Sequence, residues 1–226
     1  MTMLSTAQPI AQPIALSRRT SALMIVDPAS PEAEAIRGLR TRIIAQHVRE
    51  GRRGLVVCTP AAGSGCSFTA ANLAVAMAQA GVKTVLVDAD LRGGRIGSVF
   101  GSPADMPGLA DFLADDQIRA EDIIESDVIP DLSIIPAGHP ADTAQELLSS
   151  ARFAAFAGQL VREHDLAIFD TTPANSCTDA QRVATVVGHA LIIARKDQSY
   201  FNDVRALSTL LRADKSTVVG TVLTDY

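Results

Sequence analysis

Tryptophan is absent, tyrosine occurs twice and phenylalanine seven times in 226 residues, so aromatics make up only 4% of the chain. A hydrophobic share of 47% still permits a sizeable core, built from Ala, Val, Leu and Ile. There is no excess of basic charge. The 20 Lys and Arg against 25 Asp and Glu leave −5, which gives no general attraction to nucleic acid or to an anionic membrane surface. Cys58, Cys66 and Cys177 show no CxxC spacing, which argues against a zinc site or a disulfide framework and suits a reducing cytoplasm. No run of about 18 apolar residues is present, so nothing is expected to span a bilayer. The N-terminus does not read as a signal peptide. It has no basic n-region, and Gln8, Pro9, Gln12 and Pro13 interrupt its apolar residues.

Residues 1–27 read as a flexible leader, with Ala-Gln-Pro-Ile twice (7–10 and 11–14) followed by Arg18 and Arg19. The functional alternative is a short docking segment for a partner. Residues 28–226 read as one domain. Ser30-Pro31 places an N-cap before a proline at the first helical position, and Glu32 and Glu34 follow in the first turn. That helix is expected to run to about residue 50 and stop at Gly51, with Ile36, Leu39, Ile43 and Ile44 on its inner face. Strands are expected at 55–58, 84–87, 132–135, 166–169, 190–194 and 217–223, and helices at 67–80, 151–163, 179–187 and 202–211. The alternation implies a three-layer α/β fold with a mainly parallel central sheet and helices on both faces. Ligands in such sheets sit beyond the carboxyl ends of the strands.

Three features fall at those ends. Residues 58–67 read Cys-Thr-Pro-Ala-Ala-Gly-Ser-Gly-Cys-Ser, a strand, a glycine-rich turn and a helix start. Amides at such a turn point toward an anion, and the helix N-terminus adds positive potential. Gly63, Ser64, Gly65, Cys66, Ser67 and Phe68 are therefore the candidate phosphate-binding residues, and Ser67 stands where a hydroxyl would ligate magnesium. The pattern G-x-x-x-x-G-K-[ST] fails twice: Pro60 replaces the first glycine and Cys66 the lysine. Alone, this loop reads equally well as a turn with no ligand. Asp88-Ala89-Asp90-Leu91-Arg92 follows a strand. Its carboxylates could hold magnesium, directly or through water, and one could accept a hydroxyl proton. Asp170, after Leu-Ala-Ile-Phe, is a third strand-end acid. A single such acid is commonly a loop cap, but three behind a P-loop shift the balance toward a site.

Together these residues resemble the bacterial tyrosine kinases (BY-kinases, CpsD/CapB-like), whose fold is that of the P-loop NTPases of the MinD-like deviant Walker class. Glu34-x-x-Arg37-x-x-Arg40 resembles the family's E-x-x-R-x-x-R oligomerisation motif. The loop through Ser67 resembles Walker A, Val85–Arg92 Walker A′, and Phe169–Pro173 Walker B. The resemblance covers roughly residues 28–224. It implies ATP or ADP with Mg2+ as cofactors, Asp88, Asp90, Arg92 and Asp170 as catalytic residues, and Ser67, Asp88 and Asp170 around the metal. It also implies a homo-oligomer and a cytoplasmic protein, peripheral at the inner membrane through the cytoplasmic segment of a polysaccharide co-polymerase. The chain departs from the family at Cys66, at Gly94, where proline is common, and in having no C-terminal tyrosine cluster. Tyr200 and Tyr226 are its only phosphoacceptor candidates.

The lost lysine charge is worth roughly 1.5–3 kcal/mol in the ground state, or about 10- to 100-fold in affinity. Transition states depend more heavily on fixed positive charge, so catalysis should suffer more than binding. The expectation is a pseudokinase-like subunit that regulates exopolysaccharide or capsule polymerisation and export. The alternatives are an active tyrosine autokinase and a MinD/ParA-like ATPase switch.

Overall fold

Seven strands form one sheet in the computed structural model, which describes residues 20–225. In chain order the elements begin with α1 (Leu23–Val26), α2 (Pro31–Gln46), β1 (Gly54–Cys58), α3 (Cys66–Ala78) and β2 (Thr84–Asp88). Then come α4 (Ile96–Phe100), α5 (Leu109–Ala114), α6 (Ala120–Ile123), β3 (Glu125–Ile129), β4 (Leu132–Ile135) and α7 (Ala144–Leu148). The chain closes with α8 (Ala151–Glu163), β5 (Leu166–Asp170), α9 (Asp179–Val187), β6 (His189–Arg195), α10 (Phe201–Ala213) and β7 (Thr217–Thr224). The strand order is β3-β4-β2-β5-β1-β6-β7, and every pairing is parallel except β3 with β4. Among the described residues no helix is long and apolar enough to cross a membrane.

Strand alternation divides the core into two layers. Val56, Cys58, Val85 and Val87 face α5 to α10, whereas Leu55, Val57 and Leu86 face α1 to α4. Both faces of β1, β2 and β5 are buried, which is why these strands read as unbroken apolar runs. The helix α3 is buried almost all round. Its many alanines let it pack closely between the sheet and α2, with Leu73, Val75 and Met77 filling the space between.

Ser30 caps α2 by accepting the Ala33 amide at 3.2 Å. The α-helix ends at Gln46, and a 3₁₀ turn, Val48–Glu50, carries the chain to Gly51 in the left-handed region (φ 75°). β3 was not expected from sequence. Its polar Glu-Ser-Asp start has no strand pattern, and it pairs with a register shift around Asp127 (φ 52°).

Residues 1–19 of the expected leader lie outside the described residues. Residues 20–27 are packed structure, so the expected leader does not extend to them. Ala22 and Met24 are buried, the Ser21 amide donates to Val99 O at 2.8 Å, and the Met24 amide donates to Asn72 Oδ1 on α3 at 3.0 Å.

Candidate functional site

β1 runs up the middle of the sheet between β5 and β6, and its carboxyl end delivers the glycine-rich loop directly beside Asp170. Gly63 (φ 79°) and Gly65 (φ 77°) take the left-handed conformation that opens the turn, and Gly65 is the N-cap of α3. Four of the loop's carbonyls have partners within the protein. Ala61 O accepts the hydroxyls of Ser64 (2.7 Å) and Thr59 (3.0 Å), Gly63 O accepts Arg195, Ser64 O accepts Thr224, and Gly65 O accepts the Thr69 amide. Among the described residues, nothing accepts from the amides of Gly63, Ser64, Gly65, Cys66 or Ser67. A row of free N–H groups at a helix N-terminus is a site for an anion.

A cleft of about 1100 Å³ opens in front of this row. Gly63 to Phe68 line one wall, Asp90, Arg92 and Arg95 another, and Thr171 to Pro173 and Ser176 to Thr178 the floor. Ser21, Ala22 and Gln145 also reach it. The expected phosphate loop, the Walker A′ turn and the Walker B turn therefore meet in one place. Backbone bonds fix their spacing: Ala89 N to Asp170 O at 2.8 Å, Ala174 N to Thr59 O at 2.9 Å, and Asn175 N to Pro60 O at 2.9 Å.

The three acids differ in state. Asp88 and Asp170 are register partners on β2 and β5, and both are fully buried. Asp88 accepts the Asp90 amide on one oxygen (3.1 Å) and the Ile96 amide on the other (2.9 Å). Burial, with the Asp170 charge beside it, still pushes its pKa well up. Neither oxygen of Asp170 has a full hydrogen-bond partner among the described residues. Burial raises its pKa to about 6, and the nearby Ser67 hydroxyl and Cys66 thiol hold it from rising further. Asp90 is half-buried on the cleft wall, and its Oδ1 accepts the amides of Arg92 (3.2 Å) and Gly93 (3.1 Å).

Cys66 occupies the lysine position of the pattern. A cysteine at a helix N-terminus can be activated as thiolate. Here burial and the Asp170 charge push the Cys66 thiol well above its ordinary range, so it stays neutral. None of the three lysines compensates. Lys83 bonds Glu163 O at the opposite end of the sheet, Lys196 pairs with Asp225 at 2.8 Å, and Lys215 is outside the cleft lining. Arg92 lines the cleft, but its Nε is held at 3.0 Å by buried Asp179, the first residue of α9. A Cβ on Gly94 would lie 2.4 Å from Ala137 Cβ and 2.6 Å from Asp88 Oδ2. Here the Walker A′ turn packs too closely for the proline common in the resembled family.

The remaining expected residues stand elsewhere. Glu34 and Arg37 form a 2.9 Å ion pair on the outer side of α2, with Arg37 also bonded to Pro28 O, and Arg40 is half-buried nearby. Tyr200 is 76% exposed at the N-cap of α10 and does not line the cleft. Tyr226 lies outside the described residues. Sequence reasoning missed Arg195, Thr224 and Asp179. Only the strand-end position of the first two could have drawn attention to them.

Magnesium was expected at Ser67 and the acids. Among the described residues, no three His, Cys, Asp or Glu side chains converge as a metal cage. The bare oxygens of Asp170 beside the Ser67 hydroxyl do fit a hard cation that takes few protein ligands and fills its shell with water and phosphate.

A family model described as an AAA domain matches residues 55–215. CapB of Staphylococcus aureus, whose name marks it as a tyrosine-protein kinase, is 30% identical over 196 residues, covering 87% of this chain and 85% of CapB. EpsB of Ralstonia nicotianae, similarly named, is 32% identical over 86% of this chain, which spans only 26% of EpsB. Among solved structures, the chimerical protein CapA2B2 superposes with a TM-score of 0.81 at 30% identity, covering 92% of this chain and 91% of its own. The kinase domain of Escherichia coli tyrosine kinase ETK gives 0.84 at 26%, covering 92% and 81%. The cell division ATPase MinD of Pyrococcus furiosus gives 0.66 at 23% over 76% of this chain and 71% of its own, a likeness of fold. Similar over most of its length to CapB and to the CapA2B2 structure, the chain belongs to the P-loop family of bacterial tyrosine kinases.

Proposed function

We propose that this chain is a nucleotide-binding subunit of the BY-kinase type whose phosphoryl transfer is weakened or lost. It regulates exopolysaccharide or capsule polymerisation and export through the cytoplasmic segment of an inner-membrane co-polymerase. The observation that carries this reading is the pairing of a free amide row at Gly63–Ser67 with a neutral Cys66 thiol. The amides can hold phosphate oxygens, but no side-chain cation stands at the lysine position to follow charge onto a transferring phosphoryl group.

Bound magnesium would supply charge neutralisation between phosphate oxygens. Ser67 and Asp170 would hold it, with Asp88 behind them, its two oxygens already engaged by amides, reaching it through water. Asp90, which lines the cleft, would accept a hydroxyl proton. Arg92 fixes the Walker A′ turn against α9 rather than offering a free charge. Glu34, Arg37 and Arg40 would contribute an oligomer contact, and Tyr200 and Tyr226 remain the acceptor candidates. The relatives' names support the kinase lineage, and the polysaccharide role and membrane partner follow from the resemblance of the sequence motifs to that family.

Cys66→Lys should tighten ATP–Mg2+ binding by about 10- to 100-fold in calorimetry, because it restores one charge-assisted contact. Unchanged affinity would remove the cleft as the nucleotide site. Rapid autophosphorylation of the unaltered chain, with the partner segment added, would overturn the loss of transfer.

A further inference from the structure

The phosphate loop of this chain keeps an open, anion-ready shape without the lysine that usually lies along it. Two side chains at the ends of the neighbouring strands β6 and β7 bond its carbonyls. Arg195 is the last residue of β6, and Thr224, its register partner, is the last of β7. Arg195 Nη1 donates to Gly63 O at 3.0 Å, across 132 residues of sequence. Thr224 Oγ1 lies 3.0 Å from Ser64 O and 3.2 Å from Ala194 O, and shares its one proton between them. The peptide bonds here are trans, so the carbonyl of one residue and the amide of the next point in opposite directions. Drawing Gly63 O outward turns the Ser64 amide inward, and drawing Ser64 O outward does the same for the Gly65 amide.

The brace is itself anchored. Arg195 N donates to Ser199 Oγ at 2.9 Å, Lys196 N to Thr224 O at 2.8 Å, and Lys196 Nζ pairs with Asp225. The ends of β6 and β7 thus form one fixed platform behind the loop. We propose that Arg195 and Thr224 are positioning residues that hold the amides of Ser64 and Gly65 aimed into the cleft. Arg195 adds a fixed positive charge behind the same peptides. This rests on the reading of the cleft as a nucleotide site, but the brace can be measured without any ligand.

The test uses the full chain with Arg195→Ala, Thr224→Val, their combination, and Arg195→Lys. Backbone 15N order parameters are recorded first on the nucleotide-free protein. In the unaltered chain Ser64 and Gly65 should be rigid, with values near about 0.85, and in the double variant they should fall below about 0.6. Val85 and Leu86 should stay unchanged, and Arg195→Lys should restore part of the rigidity. Affinity for ADP should fall by about tenfold in Arg195→Ala, because binding must then order the amides that the brace had held in place. Equal order parameters in the double variant and the unaltered chain would overturn the proposal. Loosening of Ser64 and Gly65 in a protein that binds no ADP even unaltered would sustain the brace and remove the nucleotide reading instead.

Discussion

The two ends of the sheet bury titratable groups in opposite ways. At the carboxyl end, Asp88 and Asp170 sit side by side with no exposure, and burial pushes both pKa values up. At the amino end, the His47 and His189 rings meet edge to face at 4.8 Å, beside the first residues of β1 and β6. Burial drives His47 down to about 4, and Arg52 adds to the depression of His189. His47 finds a partner, Gly54 O at 3.0 Å. Asp170 finds none of full strength. Nδ1 of His47 and of His189 lacks a partner as well, but on a neutral ring that costs less, whereas at the carboxyl end the unpartnered atoms are the oxygens of an ionisable carboxyl group. A ligand site has to carry that cost, because groups already satisfied within the protein have little to offer a ligand.

The contrast has opposite signs in pH. For Asp170 the folded pKa, about 6, lies above the unfolded value, so the native state holds more protons between about pH 4 and pH 6. Stability from this group therefore falls as pH rises through that window. For His47 the folded pKa lies below the unfolded value, so stability falls as pH drops from about 6.5 to about 4. The two slopes oppose each other.

The largest effect is expected from Asp170→Asn, which should raise the unfolding free energy at pH 7 by as much as about 3 kcal/mol. Urea unfolding at pH 4.5 and 7 should then show a smaller fall in stability with rising pH than in the parent, the remainder belonging to buried Asp88. A variant less stable than the parent at pH 7 would mean the carboxylate is not strained. His47→Gln comes next. It should flatten the acid-side loss, worth about 2 kcal/mol between pH 4 and 6.5, and leave stability falling with pH through the Asp170 window. An undiminished loss of stability on acidification would place the histidine slope elsewhere. The smallest change in stability, within about 1 kcal/mol, is expected when Glu34, Arg37 and Arg40 are all replaced by Ala, since their ion pair is largely exposed. Light scattering on that triple variant should show a lower assembled mass, and an unaltered mass would remove the helix face as an interface.

How much of this was legible depended on whether the cause was local. β1, β2 and β5 announced themselves as apolar runs because both their faces are buried, and α8 and α9 begin and end where their sequence signals lie. The loop at Gly63–Ser67 and the acids Asp88, Asp90 and Asp170 could be aligned along one edge because parallel strands bring all their carboxyl ends together. What depended on distant partners stayed hidden. The amide caps on Asp88, the Arg92–Asp179 pair and the Arg195 bond to Gly63 join residues 8, 87 and 132 positions apart. No periodicity encodes such contacts. The packing of residues 20–27 was missed for the same reason, because it is determined by Asn72 and Val99.

Asn72 gives that packed segment a mechanical meaning. Its Oδ1 takes the Met24 amide, while its Nδ2 grips Phe68 O at 2.8 Å, in the first turn of α3. A single side chain thus couples the polypeptide entering at Thr20 to the turn that presents Ser67. Tension applied ahead of residue 20 would be met first at Val99, through the Thr20 hydroxyl and the Ser21 amide, and what passes on to Met24 would reach the opening turn of α3 through the Asn72 amide group.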